Sequence, residues 1–206
     1  MLEMGQAASP QRSIRLGSCQ EIYQHSSAET LRLWSTRPRP HLSHMERVYD
    51  IELKDIGKEC RRPASGQRPH ISHGKCETCA DVANKNADNF ITNFVLAQLQ
   101  QLTSYETGLN GFILPPPRIT ETVPMETWQP ITSAREPFRL IRGGIARHDI
   151  MVSPKTLKVT CIFDWEHAGY FPPELEAAAW RMTHSEYRRL FDARERIQEE
   201  LELIGG

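Results

Sequence analysis

The chain has no excess of charge of either sign, no long apolar run and no regular cysteine pattern, and each lack removes a class of protein. Its 25 Lys and Arg residues nearly cancel 26 Asp and Glu, leaving a net charge of −1. That gives no basic footprint for nucleic acid or for an anionic membrane surface. No stretch approaches the roughly 18 apolar residues of a membrane-crossing helix. The opening residues, Met1-Leu2-Glu3-Met4-Gly5-Gln6, lack the basic-then-apolar pattern of a secretory leader, so a cytoplasmic protein is expected. The five cysteines, at 19, 60, 76, 79 and 161, are odd in number and scattered, unlike a disulfide framework. Cys161 sits inside an apolar run and reads as a buried thiol acting as a small hydrophobe.

The first 80 residues also lack the marks of regular structure. Ser, Arg, Pro, His and Gln dominate, and prolines at 38, 40, 63 and 69 interrupt any long helix. A short helix over 27–34, behind a Ser cap and with Leu31 and Trp34 on one side, is the only local candidate with direction. Residues 44–55 carry Val48, Ile51 and Leu53, too few apolar positions to choose between helix and strand. We therefore expect 1–80 to be an irregular, partly disordered N-terminal extension. It holds no Gly-x-Gly-x-x-Gly or Gly-x-x-x-x-Gly-Lys, and its lysines, Lys54, Lys58 and Lys75, all lie outside apolar runs. His70-x-x-His73-x-x-Cys76-x-x-Cys79 has zinc-ligand residue types. All four fall within ten residues, leaving no folded segment to close around the metal, so unpaired surface residues are the favoured reading. A redox role for Cys76-x-x-Cys79 lacks the strand that should precede it.

Regular signal begins near residue 86. Phe90, Ile91, Phe94, Val95, Leu99 and Leu102 recur at helical spacing. Gly108 and Gly111 mark a loop, Pro115-Pro116-Pro117 an extended polyproline segment, and 118–137 a surface loop anchored by Trp128. A strand is expected over 138–141. Two more, over 150–152 and 159–163, are joined by a turn at Ser153-Pro154-Lys155-Thr156. A helix over 174–182 should pack through Leu175, Ala178, Ala179 and Met182. A single last helix over 186–204 should pack through Leu190, Phe191, Arg194, Ile197 and Leu201, its other arginines and glutamates forming a solvated face. The fold class is α+β, with the structured domain over 86–206. Asp149 precedes one hairpin strand and Asp164 follows the other, so the two carboxylates should lie close enough to share a divalent cation.

At this hairpin the chain resembles a family. Ile162-Phe163-Asp164-Trp165-Glu166-His167-Ala168-Gly169-Tyr170-Phe171-Pro172-Pro173 is similar to the metal-binding strand of fungal members of the aminoglycoside phosphotransferase and choline kinase group, which are protein-kinase-like. Leu109-Asn110-Gly111-Phe112-Ile113-Leu114-Pro115-Pro116-Pro117-Arg118-Ile119 resembles the segment preceding their catalytic loop. The resemblance implies the large, mainly helical lobe of such an enzyme, with a short β-hairpin at the metal site and the small lobe missing. It implies Mg²⁺ and ATP as cofactors, and transfer of the γ-phosphoryl group to a hydroxyl of a small-molecule substrate. In this pattern the proton-accepting Asp stands five residues before the metal-binding Asn, and a His two before that. Asp149 occupies the Asn position, so Gly144 stands at the base and Arg142 at the His. A positioned base is worth about 10²–10⁴-fold in rate, so the copy should be inactive or strongly impaired. A shifted reading, with Asp149 of Arg147-His148-Asp149 as the base, leaves Pro154 where a metal ligand is needed. Metal ligation then rests on Asp149 and Asp164, each open to the plainer role of turn former. Glu166 is either a further ligand or a surface acid. His148 and His167 read as loop residues, Trp165 and Trp180 as core. The alternative from a different class is a non-catalytic scaffold that reuses the helical lobe to bind a protein partner.

Overall fold

The structure, a computed structural model, describes residues 50–58, 75–123 and 128–205, all within one unit, Val48–Gly206. The expected helix at 27–34, His70 and His73 lie outside the described residues. The fold is α+β. Two small antiparallel sheets carry the site. One has the order β1 (Ile51–Glu52), β4 (Ile150–Val152), β5 (Val159–Ile162), and the other β2 (Thr103–Ser104), β3 (Phe138–Ile141), β6 (Gly169–Phe171). Among the described residues five α-helices accompany them: α1 (Glu77–Phe90), α2 (Ala97–Leu99), α3 (Pro117–Thr120), α4 (His184–Asp192) and α5 (Arg194–Leu203). None is long and apolar enough to cross a membrane.

Helix α1 runs through a π-helical segment, Ile91–Leu96, into α2. Its buried row is Ala83, Ala87, Ile91, Val95 and Leu99, one residue every four, so a single stripe faces the β4–β5 hairpin side. The helix starts at Glu77, well before residue 86, and its first turns bury only Cys79, Ala80, Ala83 and Ala87, with Cys76 just before them. Small side chains let the backbone approach β5 closely but give little hydrophobic signal. Phe90 and Phe94, expected on the packing face, instead stack on each other at 5.4 Å, with Phe94 40% exposed.

The expected irregularity of 1–80 does not extend to 51–58 or 75–80. Strand β1 pairs with β4 (Ile51 opposite Val152), and Leu53 and Ile56 are buried. Cys76 and Cys79 are buried rather than at the surface. Cys161, on β5, is buried as expected but disulfide-bonded rather than a thiol.

Three further expectations change. Residues 118–123 are not surface loop, since α3 starts at Pro117 and buries Arg118 and Ile119. A helix over 174–182 gives way to two 3₁₀ turns, Pro173–Leu175 and Ala179–Arg181. The break is at Glu176, whose extended backbone lets its carboxylate accept from the main-chain N–H groups of Arg142 (2.7 Å) and Gly143 (3.0 Å). The last helix is two, α4 and α5, divided at Ala193 (φ −80°, ψ 72°). A capping box at Thr183 and Glu186 starts α4. Beneath these pieces Ile119, Ile141, Phe171, Leu175, Ile197, Leu201 and Ile204 form one apolar cluster, with Trp128 packed against it as anticipated.

Candidate functional site

The β4–β5 hairpin brings Asp149 and Asp164 together. Ile150 pairs with Ile162, and the Phe163 N–H donates to the Asp149 carbonyl at 3.0 Å, so the ladder runs one bond past the strands. Asp164 then turns out of the sheet at φ +62°, a left-handed conformation that Asp tolerates better than most residues. The reversal at the far end is closed by Leu157, at φ +59°, whose carbonyl accepts from the Asn86 side chain of α1 at 2.8 Å.

Between the two acids lies Arg142. Its Nη2 stands 2.7 Å from Asp149 Oδ2 and 3.4 Å from Asp164 Oδ2, while Nη1 donates to the Gly144 carbonyl. Arg142 and Asp149 are buried; the Asp164 side chain is 44% exposed. Asp149 Oδ2 also accepts from the Ala146 N–H at 2.9 Å. Among the described residues its Oδ1 accepts no hydrogen bond, and His148 Nε2 is 3.4 Å away. Burial pushes the Asp149 carboxyl above its usual range, against the pull of Arg142 and the Ala146 N–H. The partly buried Glu176 is likewise pushed up by burial, against the N–H groups it accepts from.

The loop between β3 and Asp149 is shaped by these contacts. Gly143 and Gly144 adopt φ +90° and +133°. At Gly144 a side chain would meet only Arg118 Nη1, at 3.7 Å, so the barrier to substitution is the backbone conformation rather than space. The Gly143 carbonyl accepts from Arg118 Nη1 at 3.0 Å. Arg118 also clamps Glu200 through Nε (2.7 Å) and Nη2 (3.0 Å), and the Leu175 carbonyl through Nη2 (2.8 Å).

Magnesium requires near-octahedral oxygen ligands at about 2.0–2.1 Å. As arranged, the Asp149 and Asp164 oxygens do not fit that ion, because a guanidinium fills the space between them. No group of three potential ligands converges among the described residues. The Glu166 side chain is 68% exposed, with its Oε1 3.5 Å from His167 Nε2. His167 Nδ1 lies 2.7 Å from the Pro115 carbonyl. Trp165 donates to the Ile162 carbonyl, and Trp180, buried, donates to Asp88.

Arg118, Glu176 and Glu200 did not stand out in the sequence. For Glu200 a signal existed: it lies on the same helical stripe as Ile197, Leu201 and Ile204, and an acid on an apolar stripe calls for a buried cation. Glu176 carries no such mark. No protein-family model, curated protein or solved structure matches the chain.

Proposed function

We propose that the chain is a phosphotransferase-like lobe of the aminoglycoside phosphotransferase and choline kinase type that has lost turnover and acts by binding. The observation that carries this reading is Arg142 set between Asp149 and Asp164. Two acids at adjoining strand ends suit a divalent cation on a nucleotide, and here the protein supplies its own positive charge. Gly144, at the position of the base, supports the same reading. With φ at +133°, a carboxylate cannot be restored there without strain of about 1–3 kcal/mol. The scaffold reading draws on the same fact, since a lobe whose acids are internally neutralised keeps its shape without nucleotide.

The test is thermal unfolding with ATP and Mg²⁺, together with a phosphoryl-transfer assay. The wild-type protein should show neither stabilisation nor transfer, and Gly144→Asp should lower stability without creating activity. Arg142→Met leaves two acids without their cation, and its stability should rise with added Mg²⁺ or Mn²⁺. Mg²⁺-dependent stabilisation of the wild type by ATP would overturn the proposal.

A further inference from the structure

A cleft of about 290 Å³ opens between the segment after β1 and the start of α4. Its walls include Lys54, Lys58, Arg147, His148 and His184, with Asp55 as the carboxylate among them. Arg147 is the unusual member. It is half-buried, and among the described residues its guanidinium donates only to main-chain carbonyls, Nη1 to Trp180 at 3.4 Å and Nη2 to Leu53 at 3.3 Å. No carboxylate lies within ion-pair reach of it among the described residues, although a charge withdrawn from water is ordinarily paired. Among the described residues Lys54 pairs with Glu52 and Lys58 with Asp55, and it is the lysine side chains that are exposed, 49% and 70%. A pair with one exposed ammonium contributes little to stability, which leaves that ammonium able to turn to a stronger anion.

We propose that this cleft binds a small phosphomonoester, with Arg147 gripping the phosphate and Lys54 and Lys58 completing its charge. The planar guanidinium fork matches two phosphate oxygens, and a guanidinium with two ammonium groups suits a dianion better than a single carboxylate. The volume lies at the lower end of ligand pockets, about 300–1,000 Å³, so the occupant is of sugar- or glycerol-phosphate size and not a nucleoside triphosphate. The inference is independent of the phosphotransferase reading, because it uses neither Asp149 nor Asp164.

The experiment is calorimetric titration of the full chain with glycerol 3-phosphate, with glycerol and succinate as comparisons. Glycerol 3-phosphate should bind, glycerol should not, and succinate should bind more weakly. Arg147→Met should weaken binding at least about tenfold. Lys58→Ala, at a residue whose side chain is 70% exposed, should weaken it by a smaller factor that shrinks as salt is raised. Absence of binding at millimolar glycerol 3-phosphate, equal or tighter binding of succinate, or binding unchanged in both variants would overturn the proposal.

Discussion

Two buried arginines flank the same glycine loop, and they are satisfied to very different degrees. Arg118 makes a two-pronged contact with Glu200 and gives its remaining reach to two carbonyls, those of Gly143 and Leu175. Arg142 offers one Nη2 to two acids, one of them half-exposed, and its Nε has no hydrogen-bond partner among the described residues. A fully paired buried ion cluster holds elements in place, whereas a partly paired one keeps residual demand for charge. The first arginine ties α3, α5 and the loop together. The second neutralises Asp149 and Asp164 together with a single guanidinium nitrogen.

The largest expected effect falls on the well-paired side. Glu200→Ala leaves Arg118 buried without its partner and should cost about 3–5 kcal/mol in denaturant unfolding. Arg118→Met combined with Glu200→Met should recover much of that loss, because both charges leave together. If Glu200→Ala cost no more than a surface mutation, the contrast between the arginines would fail.

Within the Arg142 cluster the two acids should differ. Asp149→Asn weakens the buried contact and should cost about 1.5–3 kcal/mol. Asp164→Asn, at an exposed position whose left-handed backbone Asn accepts, should stay within about 1 kcal/mol. Equal losses would mean that Asp164 holds Arg142 as firmly as Asp149 does.

The smallest effect marks the surface limit of the comparison. Arg181 and the Trp180 indole N–H both donate to Asp88 and hold its carboxyl below the ordinary range. A depressed folded value stabilises the protein above the unfolded pKa of about 3.9 and is lost as pH falls through the folded value. Asp88→Asn should therefore cost about 0.2–1 kcal/mol near neutrality. The difference from wild type should vanish in strong acid, and a difference that persisted there would assign the effect to packing.

Legibility followed the range of the interactions. Strands β4 and β5 stood out because short apolar runs flank a turn, and an antiparallel pair brings its own ends together. Strand β3 was legible for similarly local reasons, whereas the extended run expected over Pro115–Pro117 stops at Pro116, because Pro117 opens helix α3. The early turns of α1 were not, since Ala and Cys bury well but mark periodicity weakly. The break at Ala193 was not either, because alanine is the best helix former and nothing in its own chemistry stops a helix there. Glu176 stops a helix by reaching 34 residues back to the Arg142 N–H, a contact that no local window contains.

The order of residues alone determined an α+β chain with a hairpin that draws Asp149 and Asp164 together, since neighbouring strand ends need only a turn. Tertiary structure decided what those acids meet. Arg142 enters between them from β3's end, and Arg118 finds Glu200 82 residues away. Charge pairing under burial is set by which elements pack against one another, and periodicity along the chain carries no record of that choice.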